Sequence, residues 1–193
     1  TSVYAEQPGP GESARGSLYI LDISDPLTIR EAGRLSLPMH LDTIATAGHR
    51  VCVTGSWPTE RWKEYALYII KADSPAQPTV AGRYQTALSS AYAVAPADNR
   101  TYVVDTQGNL HAFAMASDGS LQELSSYHVA ERARDIVVVG ASAYVAGAGG
   151  LHVLDVTDPV KPTPIALFPT PNDVTRVAVS EGRAYIVAKE SLY

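Results

Sequence analysis

The sequence predicts an all-β fold, a β-propeller of four-stranded antiparallel blades with about four repeats present, as part of a larger propeller. Three observations predict it: anchor leucines spaced 41 to 49 residues apart, a second series of strand starts with a matching period, and short strands apolar on both faces. A fixed period of this length marks stacked supersecondary units, each buried by its neighbours rather than by a core of its own.

The first series aligns without gaps. It comprises Ser17-Leu-Tyr-Ile-Leu-Asp-Ile-Ser-Asp-Pro26, Ala66-Leu-Tyr-Ile-Ile-Lys-Ala-Asp-Ser-Pro75, Asn109-Leu-His-Ala-Phe-Ala-Met-Ala-Ser-Asp118 and Gly150-Leu-His-Val-Leu-Asp-Val-Thr-Asp-Pro159. The anchors Leu18, Leu67, Leu110 and Leu151 are 49, 43 and 41 residues apart, and a further 41 leads to Leu192. The second series, Arg50-Val-Cys52, Arg100-Thr-Tyr102, Ser142-Ala-Tyr144 and Arg183-Ala-Tyr185, advances by 50, 42 and 41. Repeat units are therefore expected at 1–46, 47–95, 96–139 and 140–179, with another starting at 180–193. The chain begins and ends inside strands, as expected of a segment that does not close a ring alone. A start at Thr1, with no methionine or signal pattern, is expected of a processed product or a portion of something longer.

Within a unit the elements follow in order. Val174 to Val179, Arg183 to Ala188, Leu151 to Val156 and Pro164 to Phe168 exemplify the four strands, rich in β-branched residues and Tyr. Segments such as Ile136-Val-Val-Val139 are apolar on both faces, so each sheet must be covered on both sides. Blades around an axis meet that demand, whereas a two-sheet sandwich leaves one face of each sheet wet. Asp25-Pro26, Ser74-Pro75 and Asp158-Pro159 end strands, because proline lacks the ladder donor and presets a turn.

At this point the residues resemble a known family. Ala133-Arg-Asp-Ile-Val-Val-Val-Gly140, Ala143-Tyr-Val-Ala146 and Leu151-His-Val-Leu-Asp-Val-Thr-Asp-Pro159 are similar to the LVIVD repeat. The likeness is strongest from Ala133 to Ala188; Cys52 stands where the pattern has Tyr, Lys71 where it has Asp, and Met115-Ala-Ser-Asp118 departs as well. The resemblance implies blades whose innermost strand is of the Val174 to Val179 type, followed outward by the Tyr strand, the Leu strand and an outer strand. It also implies bacterial or archaeal proteins that are secreted or attached to the cell surface, most without a defined activity.

Net charge of −5 argues against a nucleic-acid or anionic-membrane partner, which needs clustered Lys and Arg. No apolar run is long enough to insert in a bilayer. A single cysteine, Cys52, leaves no intrachain disulfide and no cysteine zinc site. No hydrolase elbow, zinc-protease motif or phosphate loop is present, and Gly147-Ala-Gly-Gly150 reads as a hairpin between strands. His111 and His152 share the slot that Tyr19 and Tyr68 fill elsewhere, and so read as packing residues. Asp22, Asp25, Asp155 and Asp158 recur at strand ends. Calcium is one reading of them, and bonding to their own turn backbone is the one preferred. No cofactor and no metal are expected.

The function expected is a non-catalytic binding, adhesion or scaffold module with a protein or surface ligand, or self-assembly through blade edges. The alternative is a propeller domain of a larger enzyme whose catalytic residues lie elsewhere. Two hairpins between the Tyr and Leu strands are expanded, Glu6 to Gly16 and Ser56 to Tyr65, and the second carries both tryptophans. Trp57, Arg61, Trp62 and Tyr65, with His40 and Asp42 from the connection Pro38 to Asp42, are the candidate binding residues.

Overall fold

The structure is a computed structural model that describes residues 2–6, 16–58, 63–86, 91–116 and 120–188. Every regular element among them is a β-strand, and all the sheets are antiparallel. The chain divides into two compact units, Thr1–Leu88 and Ser89–Tyr193.

The first unit holds two sheets. One is β1 (Ser2–Glu6), β2 (Gly16–Asp22) and β3 (Arg30–Leu37), in that order. The other is β4 (His40–Ala47), β5 (Arg50–Pro58), β6 (Lys63–Lys71) and β7 (Thr79–Thr86), also in chain order. The second unit repeats this with β8 (Ala91–Ala97), β9 (Arg100–Asp105), β10 (Asn109–Met115) and β11 (Leu121–His128). A further sheet comprises β12 (Asp135–Val139), β13 (Ser142–Gly147), β14 (Gly150–Asp155) and β15 (Thr163–Pro169), and β16 (Val174–Ser180) pairs with β17 (Arg183–Ala188). These are propeller blades: the three four-stranded sheets run outward from an inner strand through the Tyr strand and the Leu strand to an outer strand, β1–β3 comprises the last three of these and β16–β17 the first two. The sheets that start at β4, β8, β12 and β16 begin with their inner strand, one strand before the sequence units beginning at 47, 96, 140 and 180.

Two irregularities recur at fixed positions. The Leu strand and outer strand slip register at Ile20/Leu21, Ile69/Ile70, Ala112/Phe113 and Val153/Leu154, the same slot of each repeat. On the inner strand the slip comes at Leu41/Thr43, Ala91/Ala93 and Val174/Arg176. An extra residue on one strand bends it and deepens the right-handed twist. Sheets so shaped stack face to face.

The core lies between consecutive sheets of each unit. In the first, Leu18 and Leu37 pack against Leu41, Val51, Val53, Tyr68 and Ile70. In the second, Ala93, Tyr102, Leu110 and Ala112 meet Ile136, Ala143, Val145 and Leu154, while Ala146 and Leu151 meet Val174 and Val177. Cys52, in the slot that holds Tyr elsewhere, is fully buried. Asp25-Pro26, Ser74-Pro75 and Asp158-Pro159 open identical turns, in which Thr28, Gln77 and Lys161 donate their amides to the carbonyls of Asp25, Ser74 and Asp158.

Gly33 shows how closely the sheets approach in the first unit. A Cβ there would lie 1.8 Å from the Pro75 carbonyl oxygen, backbone that cannot turn aside. Gly33→Ala should therefore lower stability by at least about 1–3 kcal/mol, the usual range of overpacking. Gly48, at φ 58 with no atom within 4 Å of the added carbon, should lose only the roughly 1 kcal/mol of left-handed strain on mutation to Ala. Paired urea melts check the ordering, and equal losses would contradict the packing.

Candidate binding face

Four residues run straight across the second sheet of the first unit, His40 to Ser56 to Tyr65 to Thr86, at the end where β5 turns into β6. Trp57 pairs with Glu64 and Pro58 with Lys63, one and two rungs further out. The equivalent hairpins of the second unit turn back at Asp105 and Gly147, so β5 has nine residues where β9 and β13 have six. The expanded hairpin is thus a ladder before it is a loop, which reading the sequence did not distinguish.

His40 and Tyr65 are half-buried, Ser56 is buried, and Asp42 is exposed at the bulge between Leu41 and Thr43. The structure therefore brings His40, Asp42, Tyr65 and the backbone of Trp57 to one end of one sheet. Arg61, Trp62 and the Trp57 side chain lie outside the described residues, as do residues 7–15 of the other expanded hairpin.

The recurrent aspartates are turn formers. Asp22 accepts the Ser24 amide at 3.0 Å and its hydroxyl at 2.7 Å, and Asp25 accepts the Leu27 amide at 3.0 Å and the Thr28 hydroxyl at 2.7 Å. Asp155 and Asp158 accept the amides of Thr157 and Val160. The Thr28 hydroxyl and then the Leu27 amide hold the Asp25 carboxyl below its ordinary range. Among the described residues, no group of three or more His, Cys, Asp and Glu is arranged to hold a metal ion.

The structure adds one cluster that sequence reading missed. His111 on β10, read there as a packing residue, sits between two carboxylates: Nε2 lies 3.2 Å from Asp105 Oδ2 and Nδ1 lies 2.7 Å from Glu123 Oε1. The side chains of His111 and Asp105 are 8% and 3% exposed, so the bond between them is shielded from water, while Glu123 is 27% exposed. Ionised carboxylates only accept hydrogen bonds, so a carboxylate at each ring nitrogen favours the doubly protonated imidazole. Burial opposes that charge, but the bonds to Asp105 and Glu123 outweigh it and raise the His111 pKa above its ordinary value of 6.5. Asp105 also accepts the amides of Gln107 and Asn109 and the Asn109 side-chain amide, which shapes the β9–β10 turn. Both ring nitrogens are engaged, so the cluster fixes a charge and offers no free nitrogen for proton transfer. His152, in the same slot, bonds the Ala148 carbonyl through Nε2 at 2.9 Å.

The signal for the cluster was present in the repeat. In β5, β13 and β17 the Asp105 slot is filled by Gly55, Gly147 and Ala188, and an acid buried where those strands carry small residues needs a partner.

The family model of the LVIVD repeat matches residues 14–36 and 130–168. The first match covers β2 and nearly all of β3, and the second runs from the turn before β12 through nearly all of β15. No curated protein matches the chain.

A raised histidine pKa stabilises the fold below the unfolded value and loses that contribution as pH rises through the folded one. The Tm difference between the natural chain and His111→Gln should therefore be largest near pH 6.5 and shrink on the alkaline side. Asp105→Ala should cost about 3–5 kcal/mol near neutrality, because it removes one of the two carboxylates that hold the buried imidazole together with the acceptor of the Gln107 and Asn109 amides. Calorimetry at pH values stepped upward from about 6.5 would test both, and a His111→Gln difference that grows with pH would contradict a raised His111 pKa.

Proposed function

From the premise that the chain carries LVIVD repeats at residues 14–36 and 130–168 and folds as propeller blades, we propose that it is a non-catalytic binding or adhesion module for a protein or cell-surface ligand, acting outside the cell or at its surface. The observation that carries the proposal is the row His40, Ser56, Tyr65 and Thr86 at one blade end, with the β5–β6 ladder extended beyond it through Trp57. The hairpin extends three rungs past the point where its counterparts turn, and carries Tyr65 and the Trp57 backbone to the blade end, the position where loops on a rigid scaffold meet partners. Trp, Tyr and Arg supply much of the energy at such anchors, since they bury large area with few rotors. The module also fits a scaffold role, with a second copy as partner through blade edges. On β15, Thr-Pro-Ile-Ala-Leu-Phe-Pro carries no charge and leaves Ile165, Leu167 and Phe168 more than half exposed, whereas β3 carries Arg30, Glu31 and Arg34.

Two measurements test these readings. The natural chain and Trp57→Ala/Trp62→Ala, matched in Tm, are immobilised and exposed to surface-protein extract. A protein retained by the first and lost by the second is the expected result, and identical retention would count against the blade-end anchor. In sedimentation velocity, Leu167→Lys should reduce any concentration-dependent association of the natural chain, and an unchanged profile would remove β15 from the contact.

A further inference from the structure

The three inner strands of the second unit, β8, β12 and β16, stand side by side, with β12 between the other two. Each is preceded or interrupted by one irregular residue in the same repeat slot: Tyr92 in the β8 bulge, Arg134 just before β12, and Thr175 in the β16 bulge. Two of these touch. The Arg134 guanidinium lies over the Tyr92 ring, 5.4 Å from its centroid. Tyr92 is 40% exposed although its neighbours Ala91 and Ala93 are buried.

The charges around this pair are already committed. Asp135 spends one oxygen on the Ile136 amide at 3.0 Å and the other on the Val177 amide at 2.9 Å, which ties β12 to β16. Asp173 is taken by Arg132, with Nε to Oδ2 at 2.9 Å and a second bond at 3.2 Å. Glu131, on the turn before, is exposed. Among the described residues, no carboxylate or carbonyl takes the side-chain N–H groups of half-buried Arg134. On the adjoining strand, exposed Arg176 gives one N–H to the Thr175 carbonyl at 2.8 Å.

We propose that Tyr92 and Arg134 form a binding site for a carboxylate carried on an acidic peptide. The site is separate from the Trp57 row and does not rest on that reading. Stacking on the tyrosine face fixes the guanidinium plane and leaves its edges free, the geometry that a carboxylate meets with two parallel bonds. Because the arginine is half-buried and already ordered, little rotamer entropy remains to be lost on binding. The site offers one guanidinium and hence one positive charge, which a singly charged carboxylate matches and a doubly charged phosphate exceeds.

Isothermal titration of the full chain with a capped tri-glutamate peptide, a tri-glutamine peptide, acetate and inorganic phosphate tests the site. Saturable binding of tri-glutamate, with none of tri-glutamine, is expected. Arg134→Gln and Tyr92→Ala should each weaken it by about tenfold or more, Arg134→Lys by less, and Tyr92→Phe and the exposed Arg183→Gln hardly at all. Tm measured alongside separates binding from packing. Lowered Tm with unchanged affinity in Arg134→Gln would overturn the site, as would a lack of saturation or binding that survives the substitution. Phosphate binding tighter than the peptide, or acetate binding equal to it, would overturn the acidic-peptide assignment.

Discussion

Burial of strands on both faces is the constraint on which the rest of this structure depends. A strand that must present apolar side chains to two neighbours cannot alternate polar and apolar residues, which is why Val103, Val104, Leu110, Ala112 and Phe113 are all fully buried although they point to opposite faces. The cost of stranding a polar group there is high, so polar side chains are held at strand ends or inside closed bonding networks. The turns after the Leu strands show the first solution, with aspartates bonded to their own amides. The Asp105, His111 and Glu123 cluster shows the second.

The same constraint explains the repeated bulges. Flat sheets stacked face to face diverge at their edges, and a twist applied at the same slot in each keeps successive faces in contact. The inner-strand bulge has a second effect: the extra residue falls outside the one-to-one register with the neighbouring strand, so its side chain leaves the alternation that packs the rest of the strand. Asp42, Tyr92 and Thr175 occupy that slot, and Arg134 is its counterpart before β12. Chemistry can vary there without disturbing the core.

Much of this was legible in the sequence. The leucine and tyrosine series fixed the period, the double-faced strands called for stacked sheets, and the Asp-Pro pairs located the turns that the hydrogen bonds confirm. What stayed hidden depends on register. Asp105 and Glu123 lie on β9 and β11, six residues before and twelve after His111, and only the pairing of three strands makes them neighbours. Tyr92 and Arg134 are likewise 42 residues apart, and their slot becomes visible only once the inner-strand bulges are counted. Trp57 was assigned to a loop because composition alone cannot say how far a ladder continues before it turns. Arg61 and Trp62 stand outside the described residues.

The long β5–β6 hairpin has an implication for how such a chain can change. Antiparallel pairing requires that every residue added to one arm be matched on the other, and here Ser56 to Pro58 is matched by Lys63 to Tyr65. Length can therefore grow in balanced steps at the tip while the bulge at Ile69/Ile70 keeps everything below in phase. An insertion confined to one arm would flip every outlying side chain to the opposite face. The hairpin behaves as an extensible arm with a parity rule, a natural graft point for recognition sequences of differing length on an otherwise unaltered blade.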